Sequence, residues 1–163
     1  EAEALSCYVE TRLEGTVARF EAQVGATRIG KAITLDGAAV TVRYRVDGGA
    51  GGRLATTLDL AMPSCDGVAG RYIVGGSIPG GFGQPLDLAS ASEVVLDDRH
   101  MQGSVVLRLD PPARVAARPY RTVSQSEEGF ERVMQSVTLD VEWNVAGEAA
   151  SFAVQLAIRA DAG

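Results

Sequence analysis

Lysine, asparagine and histidine each occur once, at Lys31, Asn144 and His100. Val145 and Ala146 follow the asparagine, so no Asn-x-Ser/Thr acceptor for an N-glycan exists. One histidine is poor material for a metal centre, which normally draws on three or four ligands. It is also the only base a serine hydrolase could use, and no G-x-S-x-G elbow accompanies it. The cysteines are Cys7 and Cys65, neither in a C-x-x-C pair, which argues against zinc and thiol redox catalysis. No stretch of 18 apolar residues is present, so no membrane span is expected. Positive charge is in deficit: 15 Lys+Arg against 21 Asp+Glu leaves a net charge of −6. A nucleic-acid partner needs clustered cations, so none is expected.

What remains is ordinary globular material. The chain has 163 residues, 46% of them apolar, which suits a single domain over 1–163 with a buried core. Segment 1–6 reads as an extended N-terminal piece. Glu1-Ala2-Glu3-Ala4 resembles either a mature end left by leader cleavage or the spacer of a secretion vector. Both imply a secretory route, hence a secreted, extracellular or periplasmic location. In that setting Cys7 and Cys65 are expected to form one disulfide. It would close a loop of roughly 58 residues, worth about 4 kcal/mol on the chain-entropy model.

The strongest pattern has period two. Val40, Val42, Tyr44 and Val46 alternate with Thr41, Arg43 and Arg45. An extended strand sends these two sets to opposite faces, whereas a helix would scatter them. Ala18–Val24, Leu54–Met62, Val105–Leu109, Val137–Val145 and Phe152–Ile158 repeat the pattern, and Ile29, Ile33 and Leu35 share a face with Lys31. Asp36-Gly37 separates two such segments and reads as a two-residue hairpin turn. The first four strands are expected at 16–24, 28–35, 39–47 and 53–62, as an antiparallel meander.

The middle is less regular. Tyr72-Ile73-Val74 reads as a short strand followed by a flexible glycine-rich loop over 75–83. That loop lacks the lysine and hydroxyl of a phosphate-binding P-loop. Pro111-Pro112 is expected to stop a strand, since proline donates nothing to a ladder. Ser124-Gln125-Ser126-Glu127 fits a capping box, so a short helix near 124–134 competes with a backward extension of the following strand. The expected fold is all-β: an antiparallel β-sandwich of nine or ten strands, with an up-and-down β-barrel as the alternative.

Candidate functional residues are few. His100 lies in Asp97-Asp98-Arg99-His100, which reads as a metal or acid–base site or as a polar turn. Glu127-Glu128 reads as solvated surface. Arg114, Arg118, Tyr120 and Arg121 form the one basic cluster, suited to carboxylate or sulfate recognition and to stacking on a sugar. Its competing reading is an edge strand kept soluble by charge. Phe82 and Tyr120 are the aromatics expected at the surface, whereas Trp143 and Tyr44 fall in phase with core positions. No catalytic set, cofactor or metal site emerges. The chain therefore reads as a non-catalytic interaction module at a cell surface. One form is a fibre subunit that joins other protein subunits by strand addition through Ala4–Glu10 and Ser151–Ala160. The alternative is a small-ligand or carbohydrate-binding domain, and an enzyme using His100 is the third reading.

Overall fold

The computed structural model describes residues 8–48, 51–62, 64, 69–126 and 129–160. Eleven strands account for nearly all of them, and no helix occurs among the described residues. They are β1 (Val9–Glu14), β2 (Val17–Val24), β3 (Thr27–Asp36), β4 (Ala39–Asp47), β5 (Gly52–Leu60), β6 (Gly70–Val74), β7 (Ser77–Gly81), β8 (Leu86–Asp98), β9 (Gly103–Ser126), β10 (Gly129–Val145) and β11 (Ala149–Ala160). All pair antiparallel in one open sheet along the path β1-β2-β3-β4-β11-β9-β8-β6-β7, with β10 between β9 and β5. Among the described residues the path ends at β1 and β7 and does not close on itself, an open sheet consistent with a sandwich or barrel-like domain.

The sheet folds back on itself because β9 serves two partners in turn along one side. The first part of β9 pairs β11 as far as Asp110, and from Arg114 onward the same side pairs β10. Against β8 the register slips between Leu88, Ala91 and Glu93. Pro111 and Pro112 fall in this gap. They do not stop the strand; they sit where one partner has left and the next has not begun, the one place a residue without an N–H costs no ladder bond. The chain thus passes from a layer built on β4 and β11 into a second layer built on β10 and β5.

Aromatic side chains join the two layers. Trp143 of β10 packs 5.3 Å from Phe152 of β11 and 6.5 Å from Tyr44 of β4, centroid to centroid. The Tyr44 hydroxyl and Thr56 Oγ1 of β5 lie 2.9 Å apart, bridging the layers, and Trp143 Nε1 donates to the Pro111 carbonyl at 2.9 Å. The ring contacts and the Tyr44–Thr56 bond join strands that share no ladder, so they are face to face, as in a sandwich. Trp143 and Tyr44 are therefore core residues, as their phase implies. Lys31 is the exception on the inward face of β3. Its ammonium lies 5.2 Å from the Tyr8 ring centroid and 5.9 Å from that of Tyr44, where aromatic faces offset its charge.

Several expectations need correction. β2, β3 and β4 form the meander, but β5 leaves it to pair β10 in the other layer. The β3–β4 loop is Gly37-Ala38, since Asp36 still pairs Ala39. Only its first residue has positive φ, +55° at Gly37, and glycine stands there. The segment at 124–134 is strand: β9 and β10 form a long hairpin through it, the backward-extension reading. The glycine-rich stretch after β6 is not a loose loop but contains β7. Phe82 is fully buried, edge-on to Tyr72 at 5.3 Å. Arg114 lies between β8 and β10, whereas Arg118, Tyr120 and Arg121 run past the last β8 pair at Ala117 and are paired by β10 alone. The final strand is also interior, with both edges of β11 taken by β4 and β9, so it has no free edge for strand addition. Cys7 and Cys65, the Glu127-Glu128 pair and residues 1–6 lie outside the described residues.

Candidate functional site

Strand register assembles a polar basin on the face of the first layer turned away from the core. Across β4, β11, β9 and β8 the residues Thr41, Gln155, Arg108 and Glu93 stand opposite one another. Cross-strand neighbours share a face, so their side chains meet. Arg108 Nε donates to Glu93 Oε2 at 3.0 Å. Arg108 Nη1 donates to Gln155 Oε1 at 3.5 Å, and Gln155 Nε2 donates to Thr41 Oγ1 at 3.4 Å. Two residues along, the next row is Arg43, Ala153 and Asp110. The methyl of Ala153 leaves a hollow between the two longer side chains. The resulting cavity has a volume of about 440 Å³ and is lined by these residues with Ser92 and Leu109. The alternate positions Val42, Val154, Leu107 and Val94 point the other way, into the core.

The chemistry of this basin is balanced. Arg43 and Arg108 face Glu93 and Asp110, so it carries no net charge. It offers guanidinium and amide donors beside carboxylate, amide and hydroxyl acceptors, the mixture that recognises a neutral polyhydroxylated ligand and gives no advantage to an anion. A second cavity of about 310 Å³ lies among Met62, Met101, Val105, Ile158 and Ala160. Its polar lining residues are Asp98, Gln102, Ser104 and Arg159, and the oxygens of Asp98 already accept four hydrogen bonds.

The residues predicted from sequence are dispersed. Arg114, Arg118 and Tyr120 project from the outward face of β9. Arg114 Nη2 donates to Asp87 Oδ2 at 2.7 Å, Arg118 pairs with Asp140, and Tyr120 is exposed. Arg121 alternates to the other face, opposite Met134, and Nη2 donates to the Gly83 carbonyl at 3.4 Å. Phe82 is unavailable to a ligand. His100 sits exposed in the turn between β8 and β9. Its backbone N–H, not its imidazole, does the organising by donating to Asp98 Oδ1 at 3.1 Å. No group of three or more His, Cys, Asp or Glu side chains that could hold a metal occurs among the described residues. Sequence reasoning missed the basin itself: Thr41, Arg43 and Arg108 stand out only as wet-face residues until register joins them to Gln155.

Comparison with known proteins gives this geometry a context. The profile of a family described as Alpha-amylase/4-alpha-glucanotransferase, C-terminal, matches residues 7–156. Among solved structures, the 4-alpha-glucanotransferase from Thermococcus litoralis superposes with a TM-score of 0.69 at 21% identity, covering 92% of this chain and 22% of that one. The Slr1438 protein from Synechocystis sp. PCC 6803 follows at 0.56 and 9% identity, covering 94% and 65%. A Paenibacillus xanthan lyase matches at 0.54 and 13% identity, covering 86% and 15%. The chain therefore spans less than two thirds of each of these. A comparison with curated protein sequences finds no match. The family match and the glucanotransferase likeness overturn the reading of the chain as a fibre or cell-surface structural subunit. They favour its carbohydrate-binding alternative.

Proposed function

The chain belongs to the alpha-amylase/4-alpha-glucanotransferase C-terminal family, and from that membership we propose that it is a non-catalytic, glucan-binding domain of a carbohydrate-active enzyme. The observation that carries the reading is the charge-balanced basin over Ala153. Two guanidinium groups, two carboxylates, an amide and two hydroxyls surround a floor one methyl deep. A sugar ring presents alternating hydroxyl donors and acceptors at its rim, and planar side chains of this kind satisfy them in pairs. Hydrogen bonding among Glu93, Arg108, Gln155 and Thr41 holds the donors in place before a ligand arrives, which lowers the ordering cost of binding. The family description supports an α-glucan as the sugar, and chemistry on it would belong to another part of the enzyme.

Calorimetric titration of the chain with maltotriose tests this. Saturable binding is expected, and Ala153→Phe, which fills the floor from the solvent side, should abolish it at the basin while the thermal unfolding profile is kept. Chromatography of maltotriose incubated with the chain should show no new products. Absence of binding at millimolar sugar (about −4 kcal/mol or weaker), or appearance of transfer or hydrolysis products, would overturn the reading.

A further inference from the structure

The basin over Ala153 is walled on three sides and open on the fourth. Across the strands, Glu93, Arg108, Gln155 and Thr41 form one continuous hydrogen-bonded row. That row stands two residues beyond Ala153 along β11, about 7 Å away, and closes one end. Arg43 of β4 and Asp110 of β9 stand to either side of Ala153. Their strands are two spacings apart, about 10 Å, wide enough for one sugar chain lying along β11. Neither side chain has a hydrogen bond or ion pair among the described residues, so a free donor and a free acceptor flank the hollow. The other end has no wall. Pairing of β11 with β9 stops at Ala153 and Asp110, so the next outward residue of β11, Ser151, has no β9 residue beside it. On its β4 side stands Arg45, which is tied to Asp47 of its own strand at 2.8 Å. Ser151 is short and exposed, and the floor runs out to solvent over it.

We propose that the basin takes the end of an α-glucan chain, not an internal stretch, and that the chain leaves over Ser151. The inference rests on the glucan-binding reading above and adds which part of the glucan is held. An internal unit is linked at both ends. Threaded along β11, it would have to pass through Gln155, which is bonded to Arg108 on one side and to Thr41 on the other. Laid across the strands instead, it would have to pass over Arg43 and Asp110. A terminal unit stops short of the row. Its end hydroxyl, consumed by the linkage everywhere else in the chain, is free and points along the chain axis. There it meets the Gln155 amide and the Arg108 guanidinium, which between them donate and accept. The hydroxyls on the two edges of the same unit face Arg43 as donor and Asp110 as acceptor.

Calorimetric titration with maltotriose, maltoheptaose and β-cyclodextrin tests this, the last being a ring of as many glucose units as maltoheptaose and without an end. The two linear sugars should bind one per protein chain, with affinities within about threefold of each other. β-Cyclodextrin should bind at least about tenfold more weakly, 1.4 kcal/mol. On amylose, bound protein should saturate at one per amylose chain whatever its length. Maltotriitol, in which the reducing-end ring is opened, tells the two ends apart: kept affinity assigns the non-reducing end, lost affinity the reducing one. Gln155→Ala lowers the end wall, so protein bound per amylose chain should then rise with amylose length. Wild-type saturation that rises with amylose length, equal binding of maltoheptaose and β-cyclodextrin, or no change of saturation in Gln155→Ala would overturn the chain-end inference while glucan binding stands. If no sugar binds at any length, both fall.

Discussion

Replacing Asp98 by asparagine tests what anchors the turn between β8 and β9. Asp98 is 2% exposed. Its Oδ1 accepts from Ser64 Oγ at 2.5 Å and from the N–H groups of His100 and Met101, both at 3.1 Å. Its Oδ2 accepts from Ser64 N–H at 3.2 Å. Burial pushes this carboxyl up, but the bonds from Ser64, Met101 and His100 outweigh it and hold it below the ordinary carboxylate range. Asparagine keeps the shape and can place its carbonyl at the Oδ1 position. Its amide then faces the Ser64 N–H, donor against donor, and the three remaining bonds lose their charge assistance. One buried donor left unmade costs about 1–3 kcal/mol, so the net loss is about 2 kcal/mol. For a chain of this length 1 kcal/mol moves Tm by about 3 °C, so Asp98→Asn should melt about 6 °C lower at pH 7. The sign with pH follows from the lowered folded value. The advantage of the charged form is complete above the unfolded pKa, near 3.9, and is lost as pH falls through the folded one. Differential scanning calorimetry from pH 7 to pH 3 should therefore show the gap narrowing below about pH 4. A gap under about 1 °C at pH 7, or one unchanged at pH 3, would refute the reasoning.

Gly70→Ala should destabilise by about 2 kcal/mol, measured by urea unfolding, because the new Cβ would press into the Phe82 ring and lie 2.6 Å from the Ser64 carbonyl oxygen. Loss of under about 0.5 kcal/mol would mean that Phe82 moves freely, against its fully buried position. Tyr72 has a buried hydroxyl with no partner among the described residues, and burial pushes its pKa up to about 12. Tyr72→Phe should be neutral or stabilising by up to about 1 kcal/mol. Since the neutral phenol is the folded form, wild-type stability should decline as pH rises from 10 towards 12, and Tyr72→Phe should decline less. Parallel alkaline curves for the two proteins would count against a buried Tyr72.

The strands were legible where one face is oily and the other wet. Val40–Val46 and Val137–Val145 place their alternate residues as expected, because burial on one side of a sheet enforces period two. Neighbour order was not legible. β5 has the same alternation as β4, and nothing in Leu54–Leu60 says that its partner lies near residue 140. Pro111-Pro112 misled in another way. Proline forbids a ladder bond, not a strand, and a strand that changes partners has a gap to give it. Phe82 looked exposed because glycines surround it. Those glycines let β6 and β7 approach closely, and the bare Cα of Gly70 is what makes room for the ring.

The binding surface failed to show for a related reason. Its walls are charged side chains that solvate well anywhere, and its floor is an alanine that no composition or motif singles out. Ala153 acquires meaning only between Arg43 and Asp110, a row built from three different strands. One signal was present. As far as Ala117 the strand β9 is interior and has no edge to protect, so the charges on its outward face at Arg108, Asp110 and Arg114 are not explained by edge defence. Arg108 and Arg114 each meet a carboxylate from β8, and exposed pairs of that kind add little stability. A row that contributes little to folding yet keeps its donors and acceptors matched across the sheet is accounted for by what it can hold, and a neutral, hydroxyl-rich chain is the ligand whose chemistry it fits.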